Sequence, residues 1–449
     1  MIETLRLAGP IIVARSAFII MFTLDTRATG QVSSLELAHI GLGTAPQITM
    51  TLVAVGALQT VVVLIAQAIG AGETARTGAI LRAGIIHAVL FGLAMAAVAP
   101  LAEAFFLAVG QQPEIAAGAA RVTWQFAWAA PGMLVFTAIS LFLDATQRQS
   151  VGMVLMMLAV AVDVPANYIV ANGWGDLVEP MGAVGAVATS SFARSLACLG
   201  IIAYLVVAQR RNGDPHKVLV PLAVWLDDIR RLGGEHGRKI RRLGLPMGLA
   251  QGVESAAFAT VVLVAGTIGA TALAAHQVMM TSITLVYMLA VGMSGATAIR
   301  VGHAVGAGSA IDVRRASFAG IGLGMILPLP IGIVFMTRPE LLGGWFTTDP
   351  AVLAITSVTL FYAGFLLAFD AAAGIVMGAL RGLGDIWVPT LLQTGAYWVF
   401  AVPLSFLLGH WLGMGAVGLV LALFAGIFAS IVLLAPRLIV VLKQPLKRV

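Results

Sequence analysis

About twelve apolar runs, each about 20 residues long, follow one another along this chain and are separated by charged or turn-forming residues. A helix of that length crosses the hydrocarbon core of a bilayer. Only 10% of the residues are charged, against about 25% in soluble proteins, which excludes a soluble enzyme, a secreted disulfide scaffold and a disordered protein. The strands of a membrane barrel would be shorter and would alternate in polarity. The sequence therefore predicts an all-α integral membrane protein. The runs lie near residues 7–29, 37–66, 79–101, 121–143, 151–172, 182–208, 243–266, 272–299, 314–337, 351–377, 386–408 and 415–436.

The net charge of +6 comes from basic residues at the ends of the apolar runs, which is the pattern of membrane topology rather than of nucleic-acid binding. With the N-terminus in the cytoplasm and twelve spans, the cytoplasmic side receives most of the basic residues. The opposite side receives only Arg27, Arg121 and Arg338. We therefore expect both termini in the cytoplasm. The cytoplasmic set comprises the segment 209–242 and Arg76, Arg82, Arg148, Arg300, Arg314, Arg315, Arg381, Lys443, Lys447 and Arg448.

The chain repeats itself in the same order and at a nearly constant spacing. This predicts a six-helix lobe at 1–208, a cytoplasmic linker at 209–242 and a second six-helix lobe at 243–449. Six spans per lobe give both lobes the same orientation, so a pseudo-two-fold axis along the membrane normal should relate them. Transporters built in this way bind substrate near the repeat interface and use alternating access. The matching segments are 6–10 with 242–246, 66–72 with 302–308, 164–165 with 402–403, and 181–185 with 414–418.

Ionisable residues inside the predicted spans are the strongest functional candidates, because each costs roughly 2.5–3.5 kcal/mol at the bilayer centre. Such a carboxylate can take up a proton or offer its oxygens to a hard cation such as Na⁺. The alternative is a structural ion pair or a polar contact between helices. The acids that lie deep in the runs are Asp25, Asp163, Glu254 and Asp370, whereas Glu103 and Asp144 lie near run ends and are expected to reach the interface.

Three arginines also fall in or beside the first and sixth runs, namely Arg15, Arg27 and Arg194. We expect them to pair helices, with a substrate or gating role as the alternative. Aromatic residues form a second set of candidates, because rings that line a cavity bind flat lipophilic cations through cation–π contacts. The alternative for each ring is packing or an interfacial belt. The candidate cavity residues are Phe258, Tyr287, Phe361, Tyr362 and Tyr397.

No motif of enzyme chemistry accompanies these residues. The glycine-rich segments at 70–72 and 306–308 lack the lysine of a phosphate-binding loop. The seven histidines have no metal-ligand spacing, and the lone Cys198 has no partner for an internal disulfide. We therefore predict a protein that is not an enzyme and that needs no cofactor other than a coupling ion.

Several segments resemble the multidrug and toxic compound extrusion (MATE) family in its bacterial NorM-like branch, and the resemblance covers nearly the whole chain. The most specific are 273–277 (LAAHQ) and 299–303 (IRVGH), supported by 24–26 (LDT), 36–38 (ELA) and 380–382 (LRG). The resemblance implies a two-lobed, V-shaped antiporter of the bacterial inner membrane. It would export bulky, often cationic drugs or toxins while Na⁺ or H⁺ enters.

The resemblance also implies roles for individual residues. Glu254 and Asp370 would couple cation movement to export and are the candidate Na⁺ ligands, and Asp25 would serve coupling in the first lobe. Asp163 and Asn167 match a polar pair in the fifth helix of that lobe. Three positions depart from the family pattern: Arg27 replaces an apolar residue, Arg15 is unusual within the first helix, and Asp163 stands where asparagine is common. The choice between Na⁺ and H⁺, and between the lobes, therefore stays open.

Two other functions remain alternatives. A flippase for lipid-linked saccharides of the same wider superfamily would need a more cationic cleft for pyrophosphate, and the deep acids argue against it. A membrane scaffold or receptor would not need buried acids in a two-lobed body. We expect small drugs or toxins and the lipid bilayer as partners, with no nucleic acid and no obligatory protein partner.

Overall fold

A computed structural model describes residues 2–174, 178–346 and 349–448, and the chain is helical through most of these ranges. No β-sheet forms among the described residues, where one isolated bridge joins Trp174 to Val178. The α-helices are α1 (Ile2–Val32), α2 (Ser34–Gly70), α3 (Thr77–Val98), α4 (Ala102–Ala108), α5 (Pro113–Ala127), α6 (Ala130–Ala145), α7 (Gln149–Asn172), α8 (Gly182–Arg211), α9 (Leu222–Arg230), α10 (Gly234–Ile268), α11 (Ala270–Gly306), α12 (Ala310–Ile326), α13 (Leu329–Thr337), α14 (Pro339–Gly343), α15 (Pro350–Gly382), α16 (Trp387–Gly395), α17 (Val402–Leu404) and α18 (Gly415–Val441). Short 3₁₀ turns (Thr74–Arg76 and Ala99–Leu101) precede and follow α3, and π-helical turns (Ala396–Ala401 and Ser405–Trp411) flank α17.

Eleven helical stretches among the described residues are long and apolar enough to cross a membrane. A twelfth is obtained when α5 and α6, which meet at a bend of 40°, are counted as one broken span. The second half of the chain supports that count, because one continuous helix, α15, has the same 33-residue extent at a distance of 237 positions. The prediction of an all-α membrane protein with about twelve spans is confirmed.

The helix boundaries repeat at the spacings found in the sequence. Helices α2 and α11 are both 37 residues long, and their ends are 236 positions apart. Helices α7 and α16 begin 238 positions apart, and α8 and α18 begin 233 positions apart. These offsets allow each residue of one half to be compared with its counterpart in the other.

The described chain forms two compact units. The N-terminal unit is Val13–Gly248, and the C-terminal unit combines Met1–Ile12 with Leu249–Val449. The first turns of α1 belong to the C-terminal unit because Leu7 and Ala8 are buried in an apolar cluster with Met293, Leu323 and Ile375. The segment 209–242, predicted as a linker, lies within the N-terminal unit and contains α9 and the start of α10.

Helices α11 and α15 approach each other closely along a face of small residues. A Cβ atom at Gly378 would lie 2.5 Å from the Ser294 carbonyl oxygen, and one at Gly382 would lie 2.6 Å from the Ala298 carbonyl oxygen. Small residues at this spacing let the backbones of membrane helices meet. This packing positions α15, which carries Asp370.

Replacing Gly378 with alanine should therefore lower stability by about 1–3 kcal/mol, the usual cost of overpacking. Gly374 is the matched control, because a Cβ atom there meets nothing within 4 Å and alanine is the better helix former. We expect Gly378→Ala to lower the melting temperature in detergent and Gly374→Ala to keep or raise it. Equal melting temperatures for the two variants would contradict the close approach.

Candidate functional site

Ionisable and phenolic side chains from three helices meet in the C-terminal unit. Glu254 lies on α10, Tyr287 on α11, and Asp370 and Arg381 on α15. The Arg381 guanidinium attracts Glu254, while the Glu254 and Asp370 carboxylates repel each other. Tyr287 interacts electrostatically with all three charged groups. The set therefore holds two carboxylates and one guanidinium, which attracts Glu254, and both Glu254 and Asp370 are half-buried. We call this set the C-terminal cluster.

A π-helical turn brings Tyr397 to the C-terminal cluster. Pro403, just after this turn, has no N–H to donate and disturbs the regular helix before it. The Trp398 indole N–H donates to the Val253 carbonyl oxygen at 3.1 Å, which holds the turn against α10 beside Glu254. Tyr397 thereby interacts electrostatically with Glu254 and Asp370, and its ring lies 5.5 Å from that of Phe258.

A small cavity borders the same cluster. Its volume is about 10 Å³, and its walls include Asp370, Tyr287 and Pro328. That is about the room needed by one water molecule. A carboxylate oxygen and a phenolic side chain in its wall suit one water molecule or one bare small ion.

The predicted aromatic set is divided by the structure. Phe258, Tyr287 and Tyr397 lie with the acids, whereas Phe361 and Tyr362 do not. The Phe361 and Tyr362 rings lie 5.6 Å apart on an exposed part of α15. Phe361 is nine residues from Asp370, which places it on the opposite face of the helix at about 100° per residue.

A second polar cluster lies inside the N-terminal unit, where α1, α7 and α8 meet. Asp25, Asp163, Asn167 and Ser190 are all buried, with at most 2% exposure. The Ser190 hydroxyl oxygen lies 2.7 and 2.6 Å from the two Asp25 carboxyl oxygens and 3.0 Å from one oxygen of Asp163. The Asn167 amide nitrogen donates to Asp25. We call these residues, together with Arg194, the N-terminal cluster.

The hydroxyl of Ser190 has one hydrogen to donate, although it lies within hydrogen-bond distance of two carboxyl groups. When it donates to Asp25, its contact with Asp163 is a hydrogen bond only if Asp163 carries a proton. One buried oxygen of Asp163 (Oδ2) and the side-chain oxygen of Asn167 have no hydrogen-bond partner among the described residues. The cluster therefore has acceptor capacity to spare for a proton or a small cation.

Arg194 supplies the positive charge of the N-terminal cluster. Its side chain is buried, and its guanidinium attracts both Asp25 and Asp163. The guanidinium carbon lies 5.4 Å from the centre of the Phe126 ring, within cation–π distance. In this cluster two carboxylates share one guanidinium. The predicted role of Arg194 in pairing helices is consistent with this position.

The other charged residues of the predicted spans in the N-terminal unit lie outside this cluster and differ in burial. Asp144 is buried, and the charge of Arg15 attracts it, so the expectation that Asp144 reaches the interface is wrong. The helix that carries Asp144 packs inside the unit. The charge of Arg15 stabilises the carboxylate there, in place of the water and headgroups that would stabilise it at the interface. Glu103 is exposed, and Arg27 is exposed while Asp25 is buried.

The two clusters do not occupy equivalent positions. At the repeat offsets, Asp25, Asp163, Ser190 and Arg194 correspond to Val261, Ala401, Leu423 and Ile427. These four residues all belong to the buried apolar core of the C-terminal unit. The pair Arg15 and Asp144 corresponds instead to Gln251 and Arg381, beside Glu254. Each unit thus carries one carboxylate cluster, built on different helices of the repeat.

The described residues thus define a multi-pass α-helical membrane protein with a carboxylate cluster in each unit. The model of the MatE family matches residues 10–169 and 246–407. The chain belongs to the MatE family.

Individual relatives agree with this assignment. The probable multidrug resistance protein NorM of Pseudomonas syringae pv. tomato is 31% identical over 441 residues, covering 96% of this chain and 92% of the relative. The protein of the same name from Pseudomonas putida is 32% identical, with 96% and 92% covered. Among solved structures, the eukaryotic MATE transporter AtDTX14 superposes with a TM-score of 0.86 at 18% identity, covering 99% of this chain and 96% of the other. An outward-facing multidrug resistance MATE family transporter of the MOP superfamily gives 0.85 at 19% identity, with 98% and 96% covered. At these identities the structures establish the fold alone.

Proposed function

We propose that this protein is a secondary active multidrug exporter of the bacterial inner membrane, with both termini in the cytoplasm. It moves bulky lipophilic or cationic compounds outwards while Na⁺ or H⁺ moves inwards, by alternating access. The observation that carries the proposal is the pair of clusters, each of which holds two interacting carboxylates and one guanidinium. The names of the NorM relatives support multidrug compounds as the transported class.

The charge balance of each cluster explains how an ion could be coupled to transport. With both acids ionised, each cluster keeps one uncompensated negative charge, which is costly inside a protein. One proton or one Na⁺ cancels that charge. In the N-terminal cluster, the Ser190 contact to both carboxyl groups and the spare oxygens of Asp163 and Asn167 would receive it. In the C-terminal cluster, Glu254 and Asp370 would do so.

The drug would compete for the charge of the C-terminal cluster. Phe258, Tyr287 and Tyr397 surround Glu254 and Asp370 with aromatic surface, and aromatic faces attract organic cations. A cationic drug and the coupling ion would then offset the same negative charge, so that binding of one favours release of the other. We propose no enzymatic step, no cofactor beyond the coupling ion and no obligatory protein partner.

A flippase for lipid-linked saccharides is the weaker candidate. Such a substrate carries a pyrophosphate, which needs an excess of positive charge where it binds. Both clusters have two carboxylates for one guanidinium and would repel it.

The direct test is efflux of ethidium, a flat lipophilic cation, from proteoliposomes that contain the purified protein. Efflux would be followed with an inward Na⁺ gradient, with an inward proton gradient and with neither. We expect one of the two gradients to drive efflux against the ethidium gradient, and that gradient names the ion. The same rate in all three conditions would contradict antiport.

A further inference from the structure

Helix α9, in the segment between α8 and α10, carries an apolar face that no part of the described chain covers. Leu222, Leu226 and Ile229 are spaced as i, i+4 and i+7, which places them on one side of the helix. They are 72%, 47% and 50% exposed, and no residue of α9 is buried. We call these three residues the apolar face of α9.

The backbone around α9 is held firmly, so the apolar face cannot simply turn inwards. Asp228, away from the apolar face, accepts a hydrogen bond from the buried Arg82 of α3 at 2.7 Å. The same guanidinium donates to the Lys217 carbonyl oxygen at 3.0 Å. The Gly78 N–H donates to the His216 carbonyl oxygen at 3.0 Å, and a Cβ atom at Gly78 would lie 2.3 Å from that oxygen.

The contact with Arg82 also places α9 at a definite level along α3. Arg82 is five residues beyond Thr77, where α3 begins, which is about 7.5 Å along the helix axis. The headgroup region on each side of a bilayer is about 5–7 Å thick. Helix α9 therefore lies beside the first turns of α3, at a distance from the helix end that is similar to the thickness of one headgroup layer. The spans that contain α8 and α10 end and begin on this same side, at Arg211 and Gly234.

The charge of the segment 209–242 indicates what kind of surface covers the apolar face. The segment has nine basic and four acidic residues, and three of the acids are engaged by basic side chains. Asp227 pairs with Arg231 at 2.9 Å, Asp228 with Arg82, and Glu235 with Lys239 at 3.3 Å. An excess of positive charge beside an exposed apolar face is typical of helices that lie in the interface of anionic membranes.

We infer that α9 is an interfacial helix that binds the anionic lipid surface of the leaflet on its side of the membrane. Leu222, Leu226 and Ile229 enter the boundary between headgroups and acyl chains. Arg230 and Arg231, at the end of α9, lie among the anionic headgroups. Because α9 is fixed to α3 through Asp228 and Arg82, lipid binding holds the ends of α3, α8 and α10 at one level.

A fluorescent probe at two positions of α9 tests this inference in the full-length protein. Cys198, the only cysteine of the sequence, is first changed to alanine. An environment-sensitive NBD group is then attached through Leu226→Cys on the apolar face, or through Val224→Cys as the matched control. Val224 is also exposed, but it lies about 200° around the helix from Leu226. The protein is placed in phosphatidylcholine vesicles with or without phosphatidylglycerol.

We expect lipids with brominated acyl chains to quench the probe at position 226, and aqueous iodide to quench the probe at position 224. The lipid quenching at 226 should be stronger with phosphatidylglycerol, and Arg230→Gln with Arg231→Gln should reduce that difference. Iodide quenching of both positions to the same extent in both vesicles would overturn the inference. Protection of position 226 from both quenchers would also overturn it, because a protein surface would then cover the apolar face.

Discussion

Replacing Arg194 with methionine should destabilise the N-terminal unit by about 3–5 kcal/mol, the usual result of removing one partner from a buried charge pair. Methionine fills much of the same volume and can still pack on the Phe126 ring. The loss therefore comes from Asp25 and Asp163, which must either stay charged in a buried site without the guanidinium that attracts both or take up protons to become neutral. Thermal unfolding of the purified protein in detergent measures this effect.

A second substitution shows whether charge is the cause. Asp163→Asn removes one of the two carboxylates while its side-chain oxygen can still accept from Ser190. We expect the double variant Arg194→Met with Asp163→Asn to regain most of the lost stability, since neighbouring charges are strongly non-additive. If the two substitutions destabilise additively, Arg194 acts through packing and the proposed charge balance of this cluster is wrong.

Neutralising the acids of the C-terminal cluster should reduce gradient-driven ethidium efflux about 5–150-fold. This is the factor by which typical coupling free energies between two sites change an affinity. Glu254→Gln and Asp370→Asn keep the shapes of the side chains but remove the charges that a proton or Na⁺ would cancel. Each substitution also makes the cluster more positive, because Arg381 remains, and this disfavours binding of any cation nearby. Initial efflux rates in proteoliposomes with equal protein content measure the effect.

Glu103→Gln is the matched control, because Glu103 is an exposed acid outside both clusters. It should transport at the wild-type rate. Asp25→Asn isolates the N-terminal cluster, where Asn167 and Ser190 can still hydrogen-bond to the new amide oxygen. Full efflux in Glu254→Gln together with loss in Asp25→Asn would assign coupling to the N-terminal cluster alone.

Much of the fold follows from the sequence. A hydrocarbon environment requires long apolar helices, and short matching segments that recur in the same order in both halves of the chain reveal the internal repeat. The bend between α5 and α6 is less evident, since Pro131 lies inside the single predicted run 121–143 and no charge separates the two helices at the bend. No feature of the sequence predicts that Met1–Ile12 belongs to the C-terminal unit. It depends on which face of α1 packs against α11 and α12.

The acids of both clusters could be identified from the cost of charge in a membrane, whereas two of their partners, Ser190 and Arg381, could not. Ser190 has no charge and no motif, and it became a candidate only because α7 and α8 bring it to Asp25. Arg381 had the appearance of a loop residue that contributes to topology, although it faces Glu254 from the last turn of α15. The burial of Asp144 could not be predicted either. Its distance from the end of the apolar run does not reveal which side of the helix packs against its neighbours.

The measurement that tests the central claim most directly compares two modes of transport in the triple variant Asp25→Asn, Glu254→Gln and Asp370→Asn. Ethidium exchange at equal concentrations on both sides needs the substrate path alone, whereas uphill efflux needs ion coupling. We predict that the triple variant keeps measurable exchange, at a reduced rate because the C-terminal cluster no longer offsets the drug's charge, and that it loses uphill efflux under both the Na⁺ and the proton gradient. Uphill efflux at the wild-type rate would contradict the proposal that these carboxylates couple the ion to export.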